Sequence, residues 1–223
     1  MTKKFKPTDV LIGVIFTLLF LSLGLIFTIN LRLLYYMDIS ILDIPKTSGI
    51  AAEVIVENYN ALIDYCSPFY RGELKFPSLP ASTEGLIHFE EVKNIFVSFY
   101  IIGLITLIAG IVIIVYKAKK KDKSYLRVSS ITTLVLPLVV GGAIALNFDK
   151  AFVVFHKIFF RNDYWLFDPV TDPVINILPS EYFMHCAIVI ILFLLFGSLT
   201  LYLCSNIGQK RTYQRFKNKK FYE

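Results

Sequence analysis

The sequence predicts an all-α integral membrane protein, with four transmembrane helices and a small extracellular cap of mixed helix and loop formed by two outer loops. Three observations carry that expectation. Hydrophobic residues make up 56% of the 223 residues and mean hydropathy is +0.62, more apolar than an ordinary soluble domain. Four long stretches without a single Asp, Glu, Lys or Arg account for the excess. The basic residues, finally, are gathered into three of the five segments outside those stretches.

The four stretches are residues 10–29, 95–116, 128–148 and 183–204. A hydrocarbon core about 30 Å thick needs roughly 20 helical residues, so each is long enough to cross it. The first follows Lys3, Lys4 and Lys6 as a signal peptide would. Its apolar run is too long for a signal core, however, and Asn30-Leu31-Arg32-Leu33 offers no small-residue cleavage site, so it reads as a retained helix.

Orientation follows from the charges. Residues 1–9, 117–127 and 205–223 hold 15 of the 23 basic residues, whereas segments 30–94 and 147–182 share eight basic and fourteen acidic ones. The positive-inside rule makes the basic segments cytoplasmic, both termini included, and the two long segments extracellular. The net charge of +6 then faces anionic lipid headgroups and does not indicate nucleic acid. The sequence carries no zinc-type Cys/His spacing and no phosphate-binding glycine loop. A disulfide between Cys66 and Cys186 is permitted outside the cell, but three cysteines without a framework favour free thiols.

In cap loop 1 (30–94), Tyr35 and Tyr36 sit where an interfacial aromatic belt is expected. Ile50, Val54, Asn58 and Leu62 recur at helical spacing and predict a helix over about 48–65, ended before Pro68. Residues 66–84 carry three prolines and read as loop, with room for a short strand at Glu73–Phe76. From Phe89 the chain becomes helical and runs into transmembrane helix 2, which puts Glu90 and Glu91 in its first turn. In cap loop 2 (149–182), eight of the twenty residues from Phe148 to Phe167 are aromatic. Phe148, Phe152, Phe155 and Phe159 fall on one stripe of a helix continuing from transmembrane helix 3; on periodicity alone, such a stripe is interfacial packing. Two Asp-Pro turns at Asp168 and Asp172 follow, and Pro179-Ser180-Glu181 opens helix 4.

All three histidines lie on the outer side. His185, just inside helix 4, reads as a lone interfacial residue. His88 and His156 come from separate loops to one membrane depth, and imidazole accepts and donates protons near neutral pH. Residue pattern alone leaves three readings open: histidine acid–base catalysis, a covalent enzyme using Cys66 or Ser67, and a non-enzymatic lipid or protein sensor.

Several runs narrow the choice. Tyr35-Tyr36-Met37-Asp38-Ile39, Asn58-Tyr59-Asn60-Ala61-Leu62-Ile63-Asp64-Tyr65 and His88-Phe89-Glu90-Glu91-Val92-Lys93 are three of them. The longest is Phe155-His156-Lys157-Ile158-Phe159-Phe160-Arg161-Asn162-Asp163-Tyr164-Trp165-Leu166-Phe167-Asp168-Pro169, with Thr171-Asp172-Pro173 and Ile175-Asn176-Ile177-Leu178-Pro179 after it. Together they resemble the lipoprotein intramolecular transacylase family, Lit, of Gram-positive bacteria, over nearly the whole chain. The resemblance implies two catalytic histidines, His88 and His156, at the cap–membrane interface. It also implies substrates that are lipoproteins bearing a diacylglyceryl group on the N-terminal cysteine.

The implied reaction moves the sn-2 acyl chain to the cysteine α-amine. Attack closes a medium ring, so positioning carries much of the work, up to ~7–11 kcal/mol. Ester to amide is downhill, so no cofactor or metal is called for. The 148–167 segment is suited to excluding water and holding acyl chains, which makes Phe152, Phe155, Phe159, Trp165, Tyr35 and Tyr36 candidate substrate contacts. Glu90 and Lys93 read as an interfacial charge pair, Asp168 and Asp172 as turn formers, and Arg161 as a headgroup contact.

Overall fold

A computed structural model describes residues 6–207, and among them every regular element is a helix. Four helices are long and apolar enough to cross a membrane: α1 (Pro7–Asn30), α5 (Thr83–Lys119), α6 (Ser124–Leu146) and α9 (Ser180–Asn206). They enclose the stretches expected at 10–29, 95–116 and 183–204, while 128–148 overruns the end of α6. Helix α1 packs against the other three, and α6 packs on α9.

Lipid tails are as apolar as leucine, so helices in a membrane associate through close backbone approach and polar contacts rather than through the hydrophobic effect. Both appear here. A Cβ on Gly13 would come within 2.7 Å of the Thr132 hydroxyl. Ser198 Oγ donates to the Ser130 carbonyl at 2.9 Å, and the Thr17 and Thr133 hydroxyls lie 3.1 Å apart.

At the end bearing the 120–123 turn, the buried Asp9 carboxylate accepts from Lys117 Nζ at 3.2 Å, and Lys117 also reaches Asp122 at 3.0 Å. One cation of the basic 117–127 segment is therefore committed to tying α1 to α5. Most of the terminal basic residues, in 1–5 and 208–223, lie outside the described residues.

The opposite end carries the cap. Helices α2 (Arg32–Ile41), α3 (Ile44–Ser48) and α4 (Ala52–Tyr65) come from the first loop, and α7 (Phe148–Phe159) and α8 (Val174–Ile177) from the second. Their shared core is aromatic. Tyr35 stacks on Tyr59 at 3.7 Å between centroids, the Tyr59 and Tyr182 hydroxyls are 2.9 Å apart, and the Tyr35 hydroxyl donates to the Ile177 carbonyl. That last bond joins the two loops into one body.

Four local expectations are corrected. The helix expected over about 48–65 is α4, which starts later, at Ala52, because Gly49 takes φ +69° and ends a separate helix, α3, with the left-handed cap that glycine adopts without strain. Glu73–Phe76 forms no strand: with Gly72 at φ +109° before it, it crosses the cap singly, with Leu74 and Phe76 packed into the core.

Helix α5 begins at Thr83, where Ser82 Oγ accepts from Gly85 N–H at 2.9 Å; Glu84 occupies its first turn, and Glu90 and Glu91 sit two turns further on. The aromatic stripe, finally, does not continue α6. Asn147 is extended (φ −169°, ψ 105°), and its side chain caps a separate helix, α7, by accepting from Lys150 N–H at 2.8 Å. The asparagine supplies an alternative partner for the freed backbone, which lets α7 leave the bundle.

Candidate active site

His88 projects from the second turn of α5, before that helix enters its apolar stretch, and His156 from the last turn of α7. The break at Asn147 is what makes their meeting possible, since a straight continuation of α6 would carry His156 away from α5. The imidazole centroids are 5.9 Å apart at 34°. Both side chains are buried, His88 4% and His156 8% exposed.

Aromatic rings wall the pair. Phe160 lies 4.6 Å from His88 and 5.5 Å from His156. Trp165 stacks on His156 at 4.7 Å and 29°, Phe152 approaches it at 4.2 Å, and Phe167 stands 5.5 Å from His88.

Hydrogen bonding distinguishes the two rings. His156 Nδ1 lies 2.8 Å from the Phe152 carbonyl, which can only accept. Nδ1 therefore carries the hydrogen, and the lone pair of the neutral ring is on Nε2. Among the described residues His88 Nδ1 has no partner, and neither do the buried Trp165 Nε1 and Glu91 Oε2. Burial lowers both imidazoles from their ordinary value. His88 is pushed down to about 4 by burial and by the charge His156 can carry; His156 is lowered by burial against the opposing effect of the Phe152 carbonyl. Both rings are neutral at pH 7.

The second loop is held against α5 at two points. Asp172 is buried, and its Oδ1 accepts from Ser82 N–H at 2.7 Å while Oδ2 accepts from the Thr171 hydroxyl at 2.9 Å. A Cβ on Gly85, one turn before His88, would overlap that carboxylate. Beyond His88, Asn162 Nδ2 donates to Glu91 Oε1 at 2.8 Å. Asp172 thus does more than form a turn: it caps the helix that carries His88. Lys93 faces the aromatic side of the cap, 4.2 Å from the Tyr65 ring centroid, and donates to the Tyr70 carbonyl, a role the expected pairing with Glu90 does not describe.

Of the other candidates, Phe152 and Trp165 pack directly on His156. Phe155 touches it edge-on at 5.5 Å while its outer face, with that of Phe159, is exposed along α7. Tyr35 is wholly buried in the cap core, and the Tyr36 hydroxyl donates to Asn60 at 2.7 Å; neither packs on an imidazole. His185 is not a lone interfacial residue: its Nδ1 lies 2.9 Å from both oxygens of the buried Asp38, tying α9 to α2. Phe160, Phe167 and Asn162 are not singled out by the sequence, although the aromatic density of 148–167 marks the region, and Glu91 reads from the sequence only as a first-turn acidic residue.

The three cysteines are free. Burial pushes the Cys66 thiol up to about 12, opposite to the activation a nucleophile needs. Among the described residues, no three His, Cys, Asp or Glu side chains converge to hold a metal ion.

Four membrane-length helices, a two-loop cap and a buried, aromatic-walled histidine pair between cap and bundle define a membrane-integral protein. The family profile of the lipoprotein intramolecular transacylase Lit matches residues 10–183, and the chain belongs to that family.

The in meso structure of the Lit transacylase from Bacillus cereus is 39% identical with a TM-score of 0.82, covering 97% of this chain and 99% of that one. Two further structures of the Bacillus cereus protein, with one histidine replaced by arginine or by alanine, are 39% and 38% identical with TM-scores of 0.80 and 0.81; each covers 93% of this chain, and 95% and 96% of its own. No curated protein sequence matches. The protein is a membrane acyltransferase.

Proposed function

We propose that the protein transfers the sn-2 acyl chain of a diacylglyceryl-cysteine lipoprotein to that cysteine's own α-amine, using His156 as base and His88 to return the proton. The observation that carries this is the pairing of two neutral, buried imidazoles, one with its Nδ1 hydrogen committed to the Phe152 carbonyl.

The substrate ammonium first gives one proton to solvent. As the amine nitrogen bonds to the acyl carbon, His156 Nε2 takes its second labile proton. As the carbon–oxygen bond breaks, that proton passes through His88 to the departing glyceryl alkoxide. The products are an amide and a free hydroxyl, and each acid or base role is worth ~10²–10⁴-fold in rate. The rings of Phe152, Phe160, Trp165 and Phe167 keep water from competing for the acyl carbon. The exposed face of α7 (Val154, Phe155, Ile158, Phe159) offers an apolar path for acyl chains.

The cap and its histidines face the cell exterior and both termini the cytoplasm. The charge asymmetry and the exposed Arg161, placed to meet phospholipid headgroups, support that orientation.

A crossover experiment tests the reaction. Purified protein is given a mixture of two lipopeptides, one with a deuterated sn-2 chain and the other with a heavier peptide. Intramolecular transfer yields N-acyl, lyso products that keep their original pairing. Mixed products, or free fatty acid in place of amide, contradict the proposal.

A further inference from the structure

The proposed reaction passes through a tetrahedral oxyanion, and some donor must meet it. Beside the histidine pair, the Trp165 indole N–H is a donor left without an acceptor among the described residues. Trp165 is 9% exposed, its ring lies flat on His156 at 4.7 Å and 29°, and its Nε1 is buried without an acceptor. An indole nitrogen can only donate, and it usually finds a partner when buried. Leaving it without one is costly, so an orphan of this kind calls for an explanation.

We infer that the Trp165 indole N–H is the oxyanion donor, taking the sn-2 ester carbonyl oxygen of the substrate as its partner. This rests on the histidine assignment above, because the stack on His156 is what places the indole beside the reacting carbon. The other hydrogen-bonding groups near the pair are engaged, of the wrong sense, or, as with His88, given to the proton transfer. The Asn162 side-chain amide donates to Glu91, the His156 Nδ1 hydrogen goes to Phe152, and Glu91 Oε2 only accepts.

A donor fixed in place by packing needs no reorganisation as charge develops, and in a dry pocket it acts at low dielectric. The stack supplies that fixity. Trp165 is held by contact with the base itself, so the distance between proton acceptor and oxyanion donor varies little as the cap moves. On this account the ring contributes in two separable ways, through its face and through its N–H.

Trp165→Phe separates them, since it keeps an aromatic face on His156 and removes the N–H, with a smaller ring as the accompanying change. The full-length protein in lipid bilayers is assayed with the diacylglyceryl lipopeptide, alongside His156→Gln. The expected result is a fall in kcat of about 10²–10³-fold, the usual effect of removing one such donor, with KM within about threefold. Affinity for a phosphonate analogue of the ester, which mimics the tetrahedral oxyanion, falls by a similar factor.

The thermal midpoint of Trp165→Phe should stay close to wild type, because removal of an unsatisfied buried donor offsets the volume that the smaller ring gives up. A kcat within twofold of wild type while His156→Gln is inactive overturns the oxyanion role and leaves the histidine reading standing. Full activity in both variants overturns the histidine reading itself. A loss of kcat accompanied by an equal rise in KM and a lowered midpoint makes Trp165 a packing residue and also rejects the inference.

Discussion

Asp172→Ala removes the carboxylate that holds the second cap loop to the N-terminus of α5. Three effects add. The Ser82 N–H loses a charged acceptor at 2.7 Å, and a hydrogen bond to a charged group is worth ~1.5–3 kcal/mol. The N-terminus of a 37-residue helix loses a nearby negative charge, worth ~0.3–2 kcal/mol in partly buried geometry. The Thr171 hydroxyl also loses its partner at 2.9 Å.

Allowing for overlap between these contributions, stability should drop by about 2–4 kcal/mol. Activity should fall as well, because His88 begins one turn after Gly85, which lies against this carboxylate, and a misplacement near 1 Å can cost about 10²-fold. Asp172→Asn keeps the shape and one acceptor oxygen, and should retain more of both. Gly85→Ala should reproduce the alanine defect from the other side, since its methyl group occupies the space of the carboxylate.

Thermal unfolding in detergent, together with transacylation rates in lipid, measures both quantities. If Asp172→Ala unfolds at the wild-type temperature and turns over at the wild-type rate, the loop is not held in this way and the reasoning fails.

Two further outcomes are expected. His185→Ala should lower thermal stability, because it leaves the buried Asp38 carboxylate without its partner, while turnover per folded molecule stays near wild type; Asp38→Asn should be milder, and a selective loss of turnover in His185→Ala would move His185 into the chemistry. Acid should destabilise the protein through His88: burial sets its folded pKa near 4 against about 6.5 unfolded, so the folded state binds fewer protons and stability falls as pH drops through that window, by about 3 kcal/mol in all, before levelling off. Unfolding temperatures between pH 7 and 4 should lose this slope in His88→Gln; an unchanged slope there assigns the effect elsewhere.

The membrane helices are legible in the sequence because their signal is compositional. Twenty uncharged apolar residues in succession have few other uses, and the Pro179 boundary rests on local chemistry. The start of α5 at Thr83, six residues before the expected Phe89, does not show in the apolar pattern. The break between α6 and α7 is not legible by the same means. Phe148, Phe152, Phe155 and Phe159 keep helical spacing from the very end of the apolar stretch 128–148, so periodicity reports one continuous helix. Only the asparagine, a good cap in an otherwise unremarkable position, hints at the turn that brings His156 to α5.

Pairing across long separations is likewise invisible to a reading along the chain. Asp38 with His185, Asp9 with Lys117 and Asp172 with Ser82 each join residues more than 80 positions apart. Nothing in the neighbourhood of His185 announces a carboxylate partner, and it therefore reads as solitary. The histidine pair is a partial exception: both motifs place an imidazole at a similar distance from an apolar span, seven residues before 95 and eight after 148, while the turn at Asn147 that joins them stays hidden.

The central claim is that His88 and His156 act as one proton-transfer unit, and the most direct measurement compares kcat for His88→Gln, His156→Gln and the double variant. Glutamine keeps a polar side chain of similar reach but cannot cycle a proton at neutral pH. Each single variant should lose at least ~10²-fold. The double variant should be little slower than the worse single one, because groups that act as a unit are strongly non-additive. If either single variant keeps more than about a tenth of wild-type kcat, or if the two losses multiply in the double variant, the histidines act independently and the account is contradicted.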